Sequence, residues 1–350
     1  MRYRELGRTG MFVSEICLGA AAFGETDENF WSGIAGVDQA TTNAIVDHAL
    51  NAGINFFDTS DVYSRGASER ALGQALNHAG VPRKDVVLAT KVGSIMGDGP
   101  NDKGSSRGHI MDSVAQSLER LQTDHIDLYQ LHNSDSITPT EEILRAMDDL
   151  VSQGLVRYVG VSNWRAWRVA SALGLSEHRG YARVQSNQVY YNLAARDIER
   201  EFVSLHEAER ISLTIWSPLA RGFLTGKYER EQTEVLRVQG KAPSFPIMDE
   251  ERGWRVVRVL REIAAKHDTH AGAVSLAWIL SRPFVTSVIV GARTVEQLGQ
   301  NLAATSVSLD EDDFVKLDAA SALPVEYPGW IIAMHDAGRH PLPFDPEGKR

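Results

Sequence analysis

A short apolar run followed by a helical pattern recurs eight times along this chain of 350 residues. Each run has the length and the share of β-branched and aromatic residues typical of a buried strand. Strands that alternate with helices lie parallel, so eight such units predict a single α/β domain over 1–350, a closed (β/α)8 TIM barrel and not an open doubly wound sheet. The predicted strands are 16–20, 54–58, 86–91, 126–131, 156–161, 182–187, 211–216 and 286–290, and the helices that follow them are 41–52, 68–79, 107–121, 140–153, 164–174, 197–209, 252–266 and 294–304.

The segments outside these units are expected to cover the ends of the barrel. Residues 1–14 contain two short extended pieces around a glycine-rich turn and predict an N-terminal β-hairpin. Connections 92–106 and 217–251 exceed the usual length, so we expect long loops on the carboxyl-terminal face. The proline-rich C-terminal tail, 323–350, is expected over that face, either lining a pocket or forming a surface strap. Residues 269–280 predict an extra helix before the last strand.

The composition disfavours several classes of partner. A net charge of −10 disfavours nucleic acid, because binding to phosphates needs a basic surface. No apolar run approaches the ~18 residues of a membrane span, and the segment after Met1 lacks a signal-peptide apolar region. The only cysteine, Cys17, excludes an internal disulfide and is expected to be a buried thiol. We therefore expect a cytoplasmic protein without a membrane or nucleic-acid partner, and the sequence carries no signal for an oligomeric state.

Four polar side chains stand at or just after the carboxyl ends of three predicted strands. They are Asp58, Tyr63, Lys91 and His132. Because parallel strands end on one face of a barrel, where such barrels hold their catalytic residues, these side chains are expected to converge. Each one alone is commonly structural, but their shared position predicts a catalytic group.

The chemistry of this group is that of a proton donor to a carbonyl. A phenol with a pKa of ~10 is a poor donor at neutral pH unless its phenolate is stabilised. Lys91 would acidify Tyr63, Asp58 would keep the ammonium charged, and His132 would steer the carbonyl oxygen. Hydride must then come from a cofactor, because the group lacks a good covalent nucleophile. A Schiff base on Lys91, as in a lyase or isomerase, is the alternative.

These segments resemble those of the aldo-keto reductases, a family of NADPH-linked (β/α)8 barrels. The resemblance runs from Leu6-Gly-Arg-Thr-Gly10 to Asn301, and Asn55-Phe-Phe-Asp-Thr-Ser-Asp-Val-Tyr63 is similar to the segment that carries the catalytic Asp and Tyr. It implies an oxidoreductase that reduces an aldehyde or ketone to an alcohol. The catalytic residues that it implies are Asp58, Tyr63, Lys91 and His132.

The resemblance also implies a cofactor site. Ser162, Asn163 and Gln185 match the residues that hold the nicotinamide carboxamide, which needs paired donors and acceptors, and Trp216 takes the place of a stacking Tyr. Arg293 is expected to pair with a 2′-phosphate, which favours NADPH over NADH. Many members have a Lys-Ser pair where this chain has glycine and alanine, so that preference depends on Arg293. The phosphate segments contribute Ser217, Leu219, Arg221, Gly222, Lys227, Gly291, Arg293, Gln297 and Asn301.

The substrate and the competing functions are less constrained. Aromatic candidates for pocket walls suit a ring ketone, a sugar or a terpenoid carbonyl. Some relatives of the family are regulatory β subunits of potassium channels that bind nucleotide with little turnover, but long N-terminal extensions are common among them, so we expect an enzyme here. No metal-binding motif occurs, and no metal site is predicted. The candidate walls are Phe23, Trp31, Trp164, Tyr190 and Trp330.

Overall fold

The computed structural model describes residues 1–25, 35–230 and 247–336. They form a closed barrel of parallel strands, which confirms the predicted (β/α)8 fold, and an antiparallel hairpin of β1 (Tyr3–Glu5) and β2 (Phe12–Ser14) precedes it as predicted. Pairing of the last strand with the first closes the barrel. The barrel strands are β3 (Ile16–Gly19), β4 (Phe56–Asp58), β5 (Val87–Val92), β6 (Ile126–Leu131), β7 (Val156–Ser162), β8 (Val184–Tyr190), β9 (Ser212–Trp216) and β10 (Val285–Gly291).

The helices lie close to the predicted ranges, with shifts mainly at their ends. The predicted helix 197–209 is divided into a 3-10 turn and a shorter α-helix, and the extra helix before the last strand is present. In the part of the chain that the structure describes, no helix is long and apolar enough to cross a membrane. The helices are α1 (Gln39–Asn51), α2 (Ala67–Ala79), α3 (Arg107–Leu121), α4 (Thr140–Ser152), α5 (Ala166–Arg179), α6 (Phe202–Glu209), α7 (Glu250–Lys266), α8 (Ala271–Leu280), α9 (Val295–Leu302), α10 (Glu311–Ser321) and α11 (Gly329–Asp336).

The inward-facing rows of the strands change from apolar to polar along the barrel. Near the N-terminal end, Leu6 and Val13 of the hairpin pack with Phe56, Ala89 and Leu128 in a buried cluster. Side chains two positions apart on a strand share a face, so the next inward residues on β4, β5 and β6 follow directly from this cluster. They are Asp58, Lys91 and Gln130. The fold therefore places an apolar plug at one end and a polar site at the other.

Helices α10 and α11 were not predicted from the sequence. Helix α10 begins at a capping box in which the Asp310 carboxylate accepts from the Asp313 backbone and Asp313 reciprocates. Asp313 is fully buried, and it also accepts hydrogen bonds from Lys266 and His267, at 2.8 and 2.6 Å. Both partners belong to the end of α7 and the residue after it, so Asp313 fixes α10 against the outer helices.

We expect Asp313→Asn to lower the free energy of unfolding by about 2 kcal/mol at neutral pH. Burial raises the pKa of the Asp313 carboxyl, but hydrogen bonds from Lys266 and His267 outweigh it and lower the pKa to about 2. The folded value lies below the unfolded value of ~3.9, so this stabilisation is complete above that pH and disappears as the pH falls towards 2. Denaturant unfolding should show the difference shrinking by about half near pH 3.

The control is Asp312→Asn in the same helical turn. Its carboxylate is 66% exposed and pairs only with Lys316, at 3.0 Å, among the ion pairs of the described residues. This variant should change stability by less than about 0.5 kcal/mol at either pH. Equal losses in both variants would show that the buried hydrogen bonds of Asp313 are not the source of the effect.

Candidate active site

Asp58 and Lys91 form a buried ion pair at the carboxyl ends of β4 and β5. The Lys91 ammonium donates to Asp58 Oδ2 at 2.5 Å and to the Thr59 carbonyl at 2.8 Å. Lys91 has no exposed surface and Asp58 is 2% exposed. Burial lowers the pKa of Lys91, but attraction to Asp58 and Tyr63 and the hydrogen bonds to both together outweigh it, and the net direction is upward. Lys91 is therefore a cation held inside the barrel.

Two glutamines complete the hydrogen bonding of the Asp58 carboxylate, and the sequence prediction missed both. Asp58 Oδ1 accepts from Gln130 Nε2 at 3.2 Å and from Gln188 Nε2 at 2.9 Å. Gln130 stands two residues before His132 on the same inward-facing row of β6. The alternation of the strand was the signal for it, because inward positions recur every second residue.

Tyr63 lies beside this pair at the start of a left-handed turn. The Lys91 ammonium donates to the Tyr63 hydroxyl at 3.4 Å and lies 5.0 Å from the centre of its ring. The next residues, Ser64, Arg65 and Gly66, have φ of 49°, 47° and 83°. Non-glycine residues adopt this conformation at a cost of roughly 1 kcal/mol each, so the fold imposes this backbone around the phenol.

The structure corrects the prediction that Lys91 makes Tyr63 unusually acidic. Burial raises the pKa of the Tyr63 phenol, attraction to Lys91 lowers it, and repulsion from Asp58 raises it further, so the net direction is upward. Burial penalises a phenolate more than one nearby cation, itself paired with a carboxylate, stabilises it. Tyr63 is therefore a neutral phenol at neutral pH.

His132 directly follows β6, and its ring makes a T-shaped contact with the Tyr63 ring. The ring centroids are 5.7 Å apart and nearly perpendicular. His132 Nδ1 lies 3.0 Å from Ser60 Oγ and 3.3 Å from Ser94 Oγ. Burial, with repulsion from Lys91 as a second cause, lowers the pKa of His132 to about 3. The imidazole is therefore neutral, and the structure brings all four predicted catalytic residues together.

The prediction that Gln185 belongs to the carboxamide site is wrong. Gln185 is the second residue of β8, and its Oε1 accepts from the Arg8 backbone in the hairpin at the N-terminal end of the barrel. Gln188 is instead paired with Ser162 in the register of β7 and β8. The two glutamines lie about 10 Å apart along the strand. The segment Val184-Gln-Ser-Asn-Gln188 contains two glutamines, and the resemblance was assigned to the first of them.

Ser162 and Asn163 do lie at the strand end where they were predicted. The Ser162 hydroxyl and the Asn163 backbone both donate to the Gln188 carbonyl, at 3.0 and 3.1 Å. The Asn163 amide donates to the His132 carbonyl at 3.1 Å and accepts from Trp216 Nε1 at 3.0 Å. These contacts fix the orientation of the Asn163 amide. One further donor and one further acceptor of that amide remain for a ligand.

Trp216 ends β9 next to these residues. Tyr190 packs on its indole with ring centroids 4.8 Å apart at an angle of 30°. A tyrosine at position 216 has no N–H with which to reach Asn163, so the tryptophan links the aromatic wall to the amide. The Ser217 carbonyl that follows accepts from Asn192 at 3.1 Å, which anchors the start of the next loop.

Cationic side chains follow β9 and β10, which are neighbours in the barrel. In the loop after β9, a Cβ built on Gly222 would lie 3.4 Å from Lys227 Nζ, and Arg221 is exposed. The turn places Ser217, Arg221 and Gly222 in the left-handed region, and the Leu219 carbonyl accepts from the Gly222 backbone at 2.9 Å.

The segment after β10 is held together by two amide side chains. Gln297 Oε1 accepts from the Arg293 backbone at 2.8 Å, and the Asn301 amide donates to the Gly291 carbonyl at 3.2 Å. Arg293 is exposed at the N-terminus of α9, where the helix dipole favours an anion. The structure therefore clusters the residues predicted for the adenosine phosphate.

The aromatic residues predicted as pocket walls have different environments. Phe23 is fully buried in the main core, and Trp164 is 2% exposed beneath the Arg168 guanidinium. Those two predictions are corrected, because side chains packed on all sides do not line an open pocket. Tyr190 is partly buried beside Trp216, and Trp330 lies on α11 and is 48% exposed. Trp31, with parts of 217–251 and 323–350, lies outside the described residues.

The C-terminal tail contacts the segment that follows β8. Arg200 donates to the Pro324 carbonyl at 3.5 Å and pairs with Glu326 at 3.6 Å. The Trp330 backbone in turn donates to the Glu326 carbonyl at 3.1 Å. Since residues after β8 belong to the carboxyl-terminal face, these contacts attach the start of the tail at the edge of that face.

Comparison with known proteins gives consistent matches over most of the chain. The model of the Aldo/keto reductase family matches residues 15–322. A probable voltage-gated potassium channel subunit beta of Oryza sativa is 35% identical, over 88% of this chain and 92% of its own. An uncharacterized oxidoreductase of Bacillus subtilis is 36% identical, over 89% and 93%. A versiconal hemiacetal acetate reductase of Aspergillus parasiticus is 32% identical, over 94% and 99%.

Proposed function

Because the chain belongs to the aldo/keto reductase family, we propose that it is an NADPH-dependent oxidoreductase that reduces an aldehyde or ketone to an alcohol. The reverse oxidation uses the same groups. One observation carries this proposal: the Lys91 ammonium donates both to Asp58, at 2.5 Å, and to the Tyr63 hydroxyl, at 3.4 Å. A buried phenol beside a permanent cation is suited to give up a proton only as charge develops on a neighbouring oxygen.

The reaction needs one proton, and Tyr63 is its source. The neutral phenol donates its proton to the carbonyl oxygen, and the phenolate that remains is stabilised by Lys91. Asp58 keeps Lys91 charged within the barrel. His132, as a neutral imidazole beside Tyr63, orients the substrate oxygen. Solvent then returns a proton to Tyr63 after the alcohol leaves.

The residues at the strand ends fit a nicotinamide ring. A bound nicotinamide cofactor supplies the hydride that the carbonyl carbon receives. Ser162, Asn163 and Gln188 offer the hydroxyl and amide groups that hold a carboxamide, and Asn163 is already fixed in orientation. Tyr190 covers one face of Trp216, and we assign the opposite face to stacking of the ring.

The cations after β9 and β10 fit the phosphates. Lys227, beside Gly222, would pair with the pyrophosphate, with Ser217, Leu219 and Arg221 in the same loop. Arg293, just before α9, would pair with a 2′-phosphate, in a segment whose backbone is held by Gln297 and by the hydrogen bond of Asn301 to Gly291. This arrangement supports NADPH over NADH, because only the former carries the additional phosphate.

A small carbonyl compound with a ring is the substrate class that the site fits best. Tyr190 supplies an aromatic surface at the barrel mouth, and Trp330 supplies an exposed indole on the tail attached to that face. Ring ketones, sugars and terpenoid carbonyls belong to this class. Flat apolar walls discriminate weakly among them, so shape and not one specific contact sets the preference.

The Schiff-base alternative has less support. A lysine that attacks a carbonyl must be a neutral amine, whereas the net direction of the Lys91 pKa is upward. Its three donor positions are already directed at Asp58, Thr59 and Tyr63. Both observations favour a fixed cation over a nucleophile.

Incubation of the purified protein with a panel of carbonyl compounds tests the proposal. The panel contains an aliphatic aldehyde, an aromatic aldehyde, a ring ketone and an aldose, each with NADPH and with NADH. We expect at least one ring-bearing compound to cause oxidation of the reduced cofactor, monitored by the loss of its absorbance. The rate should be higher with NADPH than with NADH. If no compound accelerates consumption above the carbonyl-free blank with either cofactor, the proposal is wrong.

A second candidate function is a nucleotide-binding subunit of a potassium channel. The rice relative and a second one from Arabidopsis thaliana, each 35% identical, are named probable voltage-gated potassium channel subunit beta. The same panel separates the two functions. NADPH binding is measured by quenching of tryptophan fluorescence. Saturable binding, with no oxidation of NADPH in the presence of any carbonyl compound, would favour the channel subunit.

A further inference from the structure

Asp61 is buried next to the catalytic group and has no role in the chemistry described above. It has no exposed surface, and Ser60 Oγ donates to its Oδ1 at 3.1 Å. Its Oδ2 has no hydrogen-bond partner among the residues that the structure describes. A buried carboxylate with an unsatisfied oxygen is costly, so burial disfavours the ionised form of Asp61.

Ser60 connects Asp61 to His132. The Ser60 hydroxyl oxygen lies 3.0 Å from His132 Nδ1, so one hydroxyl lies between the carboxyl group and the ring. Ser94 Oγ, 3.3 Å from the same nitrogen, is the other hydroxyl there. Because His132 is neutral, only one of its two nitrogens carries a hydrogen. The hydrogen bond at Nδ1 therefore decides what Nε2 presents to the site.

A serine hydroxyl has one hydrogen, so the hydrogen bond of Ser60 to Asp61 is coupled to its hydrogen bond to His132. When Asp61 is ionised, Ser60 donates to it and can only accept from Nδ1–H, so Nε2 of His132 is left as an acceptor. When Asp61 is protonated, its O–H donates to Ser60, and the Ser60 hydrogen turns to Nδ1. Nε2 then carries the hydrogen and is a donor.

We propose that Asp61, acting through Ser60, is a positioning residue that selects the tautomer of His132. Part of this inference rests on the proposed function, in which His132 orients the substrate oxygen. A carbonyl oxygen needs a donor at Nε2, whereas the hydroxyl of an alcohol can donate to a bare Nε2. Protonated Asp61 therefore favours carbonyl reduction, and ionised Asp61 favours binding of the alcohol.

Burial and the charges around Asp61 together raise its pKa. Glu69 of α2 repels the Asp61 carboxylate. Arg120 of α3 attracts it but is paired with Glu69 at 2.6 Å. The Asp61 backbone N–H donates to the Lys91 carbonyl. Tyr129 of β6, whose pKa is raised by burial and by repulsion from Asp61, stays neutral. Burial first, and Glu69 second, raise the pKa of Asp61 to about 7. The neutral form therefore predominates below that pH and the carboxylate above it.

The direct test is nitrogen-15 NMR of the histidine-labelled protein, in which the two tautomers have distinct ring-nitrogen shifts. Over about two pH units on either side of neutrality, the wild-type His132 signals should change from mostly Nε2–H to mostly Nδ1–H. Asp61→Asn cannot ionise, so its tautomer ratio should stay constant. Ser60→Ala should also abolish the change, because it removes the connecting hydroxyl while Asp61 remains.

The kinetic test uses the same variants with any carbonyl that the panel identifies. Wild-type kcat/KM for reduction should fall by about tenfold over the alkaline half of that range, and Asp61→Asn should change by less than about twofold. Thermal unfolding checks that both variants are folded. The matched control is Asp124→Asn, because Asp124 is 90% exposed and its carboxylate contacts the ring of a different histidine, His125, at 2.6 Å. This control should alter the His125 signals alone.

The outcomes separate the inference from the proposed function. A wild-type His132 tautomer that does not change with pH, or an Asp61→Asn variant that titrates like the wild type, overturns the inference even if carbonyls are reduced. Tautomer changes that disappear in both variants support control by Asp61 even if no carbonyl is turned over, in which case only the proposed function fails.

Discussion

Replacement of Tyr63 by phenylalanine should reduce kcat for carbonyl reduction by about a thousandfold while leaving the NADPH dissociation constant almost unchanged. The hydroxyl that is removed lies 3.4 Å from the Lys91 ammonium and is the proton donor in the proposed reaction. Because the lost interaction matters in the transition state and not in cofactor binding, kcat and kcat/KM should fall together. Steady-state kinetics and a fluorescence titration with NADPH measure the two quantities separately.

Tyr158→Phe is the matched control for that experiment. The Tyr158 hydroxyl donates to the Thr9 carbonyl at 3.3 Å, in the hairpin at the other end of the barrel. The same chemical change there should leave kcat within about twofold of the wild type. A Tyr63→Phe enzyme that retains wild-type turnover would contradict the assigned proton donor, whereas equal losses in both variants would indicate a general effect on folding.

The barrel could be predicted from the sequence because two simple periodicities determine it. Runs such as Val87–Val92 are too short and too β-branched for helices, and the patterns between them repeat at helical spacing. The missed helix α10 is short and mostly polar, with few buried residues such as Leu317. Its capping box was present in the sequence at Asp310 and Asp313, but apolar periodicity alone did not reveal it.

Within the site, the residues predicted from strand ends were the ones that the structure brought together. Asp58, Lys91 and His132 depend only on the direction of the strands, which the alternation with helices fixes. Gln185 failed because its assignment came from the resemblance over Val184-Gln-Ser-Asn-Gln188, a segment with two glutamines, and only the structure shows which of them lies at the carboxyl end of the strand. The net pKa direction of Tyr63 also required the structure, since burial cannot be weighed against one cation from sequence.

The buried ion pair of Asp58 and Lys91 should show strong coupling in a double-mutant cycle. Lys91→Met leaves the Asp58 carboxylate buried with only the two glutamine donors, and Asp58→Asn leaves a buried ammonium without its counter-charge. Each single variant should lower the free energy of unfolding by about 3–5 kcal/mol. The double variant carries no charge at either position of this pair, so it should recover at least about 2 kcal/mol relative to the sum of the single losses.

Catalysis should respond differently from stability in the same cycle. Both single variants and the double variant should lose at least about a hundredfold in kcat, because each lacks the charged Lys91 or the carboxylate that keeps it charged. Denaturant unfolding at constant pH gives the stabilities, and single-turnover kinetics with NADPH gives the chemical step. The double variant should therefore be comparatively stable and inactive, a combination that separates the electrostatic role of the pair from its role in folding.

The exposed pair of Glu141 and Arg179 provides the control cycle. Its partners are 2.9 Å apart, but both side chains are nearly half exposed. Glu141→Gln and Arg179→Met should show a coupling below about 1 kcal/mol and wild-type turnover, since water and salt already screen the pair. If the stability losses for Asp58 and Lys91 are additive, the coupling energy of this pair is no larger than that of the surface pair. The barrel mouth would then be more hydrated than its burial indicates. The phenol would then have no low-dielectric cation beside it, and the proposed proton donation would lose its electrostatic basis.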